Sequence, residues 1–124
     1  MRFNRKYKSK RISEKPFIDI CREEWKNAKK LFPGLKHQPE WRWHFENNWN
    51  HGRCYRGSNM ITFNPRYMEH VQNEEYVNEF RLTVKHEIAH LRTRGHGEDF
   101  LRIMNILGAN RYANCSFKGR RKNS

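Results

Sequence analysis

Val84-Lys85-His86-Glu87-Ile88-Ala89-His90, followed by Leu91-Arg92-Thr93-Arg94-Gly95-His96-Gly97, is the stretch around which the remaining sequence organises. On a helix, residues four apart share a face, so His86 and His90 can hold one ion with Glu87 beside it. A hydrolytic zinc ion needs three protein ligands and an open position for water, whose pKa it lowers to about 7. His96 is the natural third ligand, and Glu87 is the candidate general base. Gly95 and Gly97 flank His96 and permit a turn with positive φ, by which the chain can leave the helix and fold the third imidazole back. No cluster of cysteines competes for the ion, so the expectation is one zinc per chain.

Outward from this stretch, Val77, Phe80, Val84, Ile88 and Leu91 recur at steps of three or four, the apolar stripe of an amphipathic helix. His86 and His90 lie on its other side, which Thr83 and Glu79 extend as ordinary groove or surface positions. Phe100, Ile103, Met104 and Leu107 mark a further helix, stopped by Gly108. Met104 at this spacing reads as core rather than as a floor under a metal. Upstream, the pattern predicts a helix over 17–31 with Ile20, Trp25, Ala28, Leu31 and Phe32 on its core side, ended by Pro33-Gly34. Trp41, Trp43 and Phe45 alternate with polar residues as in a half-buried strand. Two more short strands are expected at 53–56 and 60–63, joined by a turn at Gly57-Ser58-Asn59, with a short helix from Pro65 to Met68. His37, His44, His51 and His70 read as surface or structural residues.

Composition narrows the partners. The 124 residues make one domain, whose 35% hydrophobic content is offset by four Trp, five Tyr and eight Phe that bury large areas. No apolar run approaches the roughly 20 residues of a membrane span, and the basic N-terminus lacks a signal-peptide core, so the reading is cytoplasmic and without membrane contact. Cys21, Cys54 and Cys115 are odd in number and widely spaced, which speaks for reduced thiols. The net charge of +13 is uneven. Arg2, Arg5, Lys6, Lys8, Lys10 and Arg11 precede the first acid, Glu14; Arg111, Lys118, Arg120, Arg121 and Lys122 crowd the other end; residues 12–110 carry only +2. The expected organisation is a basic arm over 1–15, a folded domain over 16–117 and a basic tail over 118–124. Such arms neutralise phosphates, and Phe3 and Tyr7 offer rings for stacking on bases.

Trp41-Arg-Trp-His-Phe, Gly52-Arg-Cys-Tyr, Met60-Ile-Thr-Phe-Asn, the His86–His90 motif and His96-Gly-Glu-Asp-Phe100 together resemble the SprT-like zinc metalloproteases, which include Spartan-type proteases and are akin to WLM proteases. The resemblance runs from about Phe17 to Cys115. It implies His86, His90 and His96 as zinc ligands, Glu87 as the catalyst, and an α+β domain in which helices pack on a small antiparallel sheet, here of three strands. It also implies action on proteins held on DNA. No zinc ribbon follows Cys115 in these residues, so DNA contact is expected from Arg2, Arg5, Lys6, Lys8, Lys10, Arg11, Lys118, Arg120, Arg121 and Lys122. Thr93 stands where metzincins place glycine, which separates the chain from that family.

The leading expectation is therefore a monomeric zinc endopeptidase of zincin type, acting on protein substrates on or near DNA, single- or double-stranded. The alternative is a nucleic-acid-binding module with a structural or vestigial zinc. Tyr55, Tyr112 and Arg94 are the candidates for stabilising an oxyanion.

Overall fold

The computed structural model describes residues 8–45, 50–109 and 111–113. In chain order these form β1 (Ser9–Arg11), α1 (Phe17–Leu31), β2 (Glu40–His44), β3 (Gly52–Tyr55), β4 (Met60–Phe63), a 3₁₀ helix (Pro65–His70), α2 (Glu74–Ala89) and α3 (Glu98–Ile106). The class is α+β, as expected. The sheet differs: it has four strands in the order β1-β2-β4-β3, not three, and it is mixed rather than antiparallel.

Two local facts account for the difference. Ser9–Arg11, expected within the basic arm, pairs antiparallel with β2 through Ser9↔His44 and Arg11↔Arg42. Three residues with no apolar alternation carry no strand signal, yet short, charged segments suit the edge of a sheet, where they discourage further pairing. Arg42 fastens this edge, its guanidinium donating to Ser9 Oγ at 2.7 Å and to the Ser9 carbonyl at 3.1 Å. Then β3 and β4 make the expected hairpin, and β4 inserts between β3 and β2, where it runs parallel to β2. The turn of the hairpin passes through Asn59 at φ 49°, a left-handed conformation that asparagine tolerates.

The core lies between one face of the sheet and α1 and α2. Phe80 of α2 is its centre, with ring centroids 4.9 Å from Phe17 of α1, 4.8 Å from Phe63 of β4, 5.1 Å from Tyr67 and 5.9 Å from Trp43 of β2. The contacts with Phe17 and Tyr67 are edge-on and those with Phe63 and Trp43 tilted, and such ring pairs add to the burial of the rings themselves. Leu31, expected on the core side of α1, is exposed, while Ile18 and Cys21 complete that face. Between α1 and α2 the buried carboxylate of Glu24 is matched by Arg81 at 2.5 Å and Lys85 at 3.3 Å.

Capping sets the ends of α2 and α3. Asn73 Oδ1 accepts from the backbone N–H of Glu75 and Tyr76, and Glu74 and Glu75 fill the first turn of α2, where acids complement the helix dipole. Gly108, at φ +89°, closes α3: the Ala109 N–H reaches the Met104 carbonyl and the Gly108 N–H that of Asn105, the paired bonds of a Schellman cap. This turn sends residues 111–113 back toward α2. No helix among the described residues is long and apolar enough to cross a membrane.

Candidate metal centre

His86 and Glu87 sit in the last turn of α2 and His90 is its C-cap. The chain then turns at Gly95, φ +71°, and brings His96 back over the helix end. The result is convergence. His96 Nε2 lies 3.2 Å from His90 Nε2 and 3.4 Å from His86 Nε2, and the ligand atoms of all three fall within 4.8 Å of one another. Three nitrogens bound tetrahedrally to one zinc at about 2.0–2.1 Å would stand about 3.3–3.4 Å apart, so the two spacings that His96 makes match those of a shared ion. A second contact supports this. His90 Nδ1 stands 3.2 Å from the Thr93 carbonyl, an acceptor, so in the neutral ring Nδ1 carries the proton and Nε2 keeps its lone pair. This is the only such cluster of His, Cys, Asp and Glu among the described residues.

The floor of the cluster is Phe100. Its ring centroid is 4.9 Å from His86, 4.6 Å from His90 in a stacked arrangement, and 4.9 Å from His96. In the sequence Phe100 stands out only as one residue of an apolar stripe. Its fourth place after His96, in the first turn of α3, is the signal that would have marked it as the support of the third imidazole. Met104 is buried in the core, as expected.

Glu87 is 5% exposed, with Oε2 4.0 Å from His86 Nε2. Burial raises its carboxyl to about 8, and the charge of Arg53 opposes that rise. Burial also lowers His86 to about 4, helped by the neighbouring His90, His96 and His51, and it lowers His90 as well. Both rings are therefore neutral at pH 7, the form in which imidazole binds metals. A divalent cation in the same cavity would favour the carboxylate form of Glu87.

The cluster opens into a cavity of about 780 Å³ whose walls include His51, Arg53, Thr83, Arg94 and Tyr112. Of the three oxyanion candidates, Arg94 and Tyr112 reach the cavity and Tyr55 is not among its walls. The Tyr112 ring lies 5.2 Å from His86 and 5.9 Å from His96. What carries it there was not apparent from the sequence. Glu79, expected at an ordinary groove or surface position, is 3% exposed and holds the Arg111 guanidinium through both carboxylate oxygens, while Arg111 also donates to the Tyr112 carbonyl at 3.0 Å. Thr83 is buried too, bonded at 2.8 Å to Tyr67 Oη.

Cys54 shares the cavity, but burial pushes its thiol up to about 12, which leaves it protonated and inert at neutral pH. Among the expected nucleic-acid contacts, Lys10 pairs with Glu14 and Arg11 with Glu40, both at the sheet edge beside Lys8. Arg2, Arg5, Lys6, Lys118, Arg120, Arg121 and Lys122, with Cys115, Phe3 and Tyr7, lie outside the described residues. A model of the SprT-like family matches residues 22–119 of the chain. No curated protein and no solved structure matches it.

Proposed function

From the premise that the chain belongs to the SprT-like family, we propose that it is a zinc-dependent endopeptidase acting on proteins bound to DNA. The observation that carries the peptidase reading is the convergence of three imidazole nitrogens beside a buried carboxylate at the mouth of an open cavity. A structural zinc closes its coordination within the protein, usually with four side chains. Here three side chains converge and the remaining side is cavity, which favours hydrolysis over the alternative of a nucleic-acid module with a structural ion.

His86, His90 and His96 would hold the zinc, which supplies acidification of water and polarisation of a carbonyl. The remaining work falls to the chain's own groups. Glu87 takes the proton of the attacking water and returns it to the leaving amine, a transfer that its burial next to His86 suits. The Phe100 floor and the Thr93 carbonyl hold the imidazoles in position. Arg94 and Tyr112 line the same cavity and are the candidate donors to a developing oxyanion.

The DNA part of the proposal rests on the family and on the basic composition of the two ends. The test of the whole is elemental analysis of the purified chain together with cleavage of a DNA-bound protein, with and without the DNA. One zinc per chain, lost in His96→Ala, and cleavage that requires Glu87 are the expected results. A chain free of zinc after purification without chelators, or undiminished zinc in His96→Ala, would remove the assignment.

A further inference from the structure

We propose that the cavity continues into a cationic groove that selects peptide substrates carrying acidic side chains on one side of the scissile bond. This deepens the peptidase reading and rests on it. A second cavity, of about 580 Å³, shares Arg56 and Arg94 with the first and extends past them to Lys36 and Asn59. Arg53, Arg56, Arg94 and Lys36 thus line the two adjoining cavities, with Arg56 and Arg94 common to both. The only acidic wall residue among those described is Glu87, and it is buried at the inner end.

These cations differ from six others in the fold. Arg11, Arg42, Arg81, Lys85, Arg102 and Arg111 each lie within 4.0 Å of a carboxylate. Arg53 faces the Tyr55 ring at 5.7 Å, and Arg56 lies near enough to His90 and Cys54 to act on both. None of Arg53, Arg56, Arg94 and Lys36 lies within 4.0 Å of a carboxylate among the described residues, although the charge of Arg53 is felt by Glu87. Several like charges on the walls of a concave surface reinforce one another's field, and guanidinium groups pair with carboxylates through two parallel hydrogen bonds.

The occupant favoured is an extended peptide rather than a nucleic-acid strand. Strand β3 ends the sheet among the described residues, and Gly52, Arg53 and Cys54 from it form part of the cavity wall. A peptide laid along a sheet edge presents alternate side chains at a fixed spacing, which brings acidic groups to the cations in turn. Of the large rings on the walls, Tyr112 already lies against His86 and His96 and Trp25 is buried in the core at 6% exposure, so the groove gives successive bases little to stack on.

The experiment uses three peptides that differ only in a pair of residues on one side of the cleaved bond: Glu-Glu, Gln-Gln or Lys-Lys. Their kcat/KM is measured with the zinc-loaded full chain, and their affinity by fluorescence anisotropy with zinc-loaded Glu87→Gln. The Glu-Glu peptide is expected to be preferred over Gln-Gln on the order of tenfold and over Lys-Lys by more, since each exposed pair contributes modestly. The double change Arg56→Gln/Arg94→Gln should flatten the order and Arg56→Glu/Arg94→Glu should reverse it. Equal cleavage of all three peptides overturns the groove and leaves the peptidase reading intact. Arginine-dependent binding of Glu-Glu without cleavage of any peptide does the converse. An oligothymidylate that binds more tightly than every peptide, with the same dependence on Arg56 and Arg94, would reassign the groove to nucleic acid and overturn the proposal.

Discussion

On one side of α2, Phe80, Val84 and Ile88 are at most 1% exposed among aromatic and aliphatic neighbours, where every contact favours the fold. Toward the cavity, along the margin of that face and beyond it, Glu87 and His86 are also largely withdrawn from water, but they are ionisable and their burial moves His86 to about 4 and Glu87 to about 8. The first side is stabilising because it is apolar. The second gains nothing from burial in the absence of a metal, because desolvation works against the charged forms. One helix thus joins a surface optimised for packing to one held ready for an ion, and its rigidity comes from the former.

The largest expected effect tests the catalytic side alone. Glu87→Gln keeps size and hydrogen bonding but cannot accept a proton, so zinc should stay bound while turnover falls by at least about 10²- to 10⁴-fold, the usual span for a general base. Measuring zinc content and peptide cleavage on one preparation checks it; unchanged turnover would place the base elsewhere. Phe80→Ala tests the packing side. Removing the ring at the centre of the aromatic cluster should cost about 3–5 kcal/mol. In denaturant unfolding the midpoint should drop, while any protein that remains folded cleaves at a near-normal rate. A specific loss of kcat in folded Phe80→Ala would mean that the two sides of α2 are not separable.

Much of this division was legible beforehand. The His86–His90 spacing with His96 six residues later, and the stripe from Val77 to Ile88, placed ligands and core on opposite sides of one helix. Glycine was a correct signal at 95, where φ is positive, and at 108, where α3 is capped; at 97 the φ of −81° makes no such demand. What escaped were features whose partners are distant in sequence. Ser9–Arg11 becomes a strand only because β2 is beside it, and Glu79 is buried only because Arg111 returns 32 residues later. Likewise, β4 lies parallel to β2 through an insertion that local alternation cannot express. Arg53, Arg56, Arg94 and Lys36 come from three separate segments, so the +2 of the middle of the chain concealed a local concentration of cations.

A pH-dependent effect measures the cost of the catalytic side directly. In metal-free protein the folded-state carboxyl of Glu87 lies near 8, above its ordinary value of 4.5, so the fold prefers the protonated form. Stability from this group is then full below about pH 4.5 and is lost as pH rises toward 8. Metal-free Glu87→Gln should accordingly be more stable than the parent by about 4 kcal/mol at pH 8, with the advantage fading near pH 4.5. His86 has the opposite sign: its folded value near 4 lies below the ordinary 6.5, so stability falls as pH drops from 6.5 toward 4. Chemical unfolding of the chelator-treated proteins between pH 4.5 and 8.5 checks both limbs. An advantage for Glu87→Gln that does not change with pH would show that the carboxyl is not desolvated as its position indicates.

The smallest change joins the two sides. Strand β3 packs closely against α2 at Gly52, where an added Cβ would lie 2.9 Å from Thr83 Cγ2, 3.1 Å from Glu87 Cγ and 3.2 Å from Phe63 Cδ1. Glycine is needed here for space, not for an unusual backbone angle. Gly52→Ala must therefore push against a core ring, a buried threonine bonded to Tyr67, and the catalytic carboxylate at once. Overpacking of one methyl typically costs about 1–3 kcal/mol, so the stability loss should be smaller than that of Phe80→Ala. The effect on catalysis should be larger than this suggests, because a displacement of about 1 Å at a reacting group can lower a rate up to about 10²-fold. The expected pattern is retained zinc, a modest loss of stability and a fall in kcat with KM nearly unchanged, since Glu87 moves while the groove cations do not. If kcat and stability both match the parent, β3 has room to shift, and the carboxylate is held by α2 alone rather than between helix and sheet.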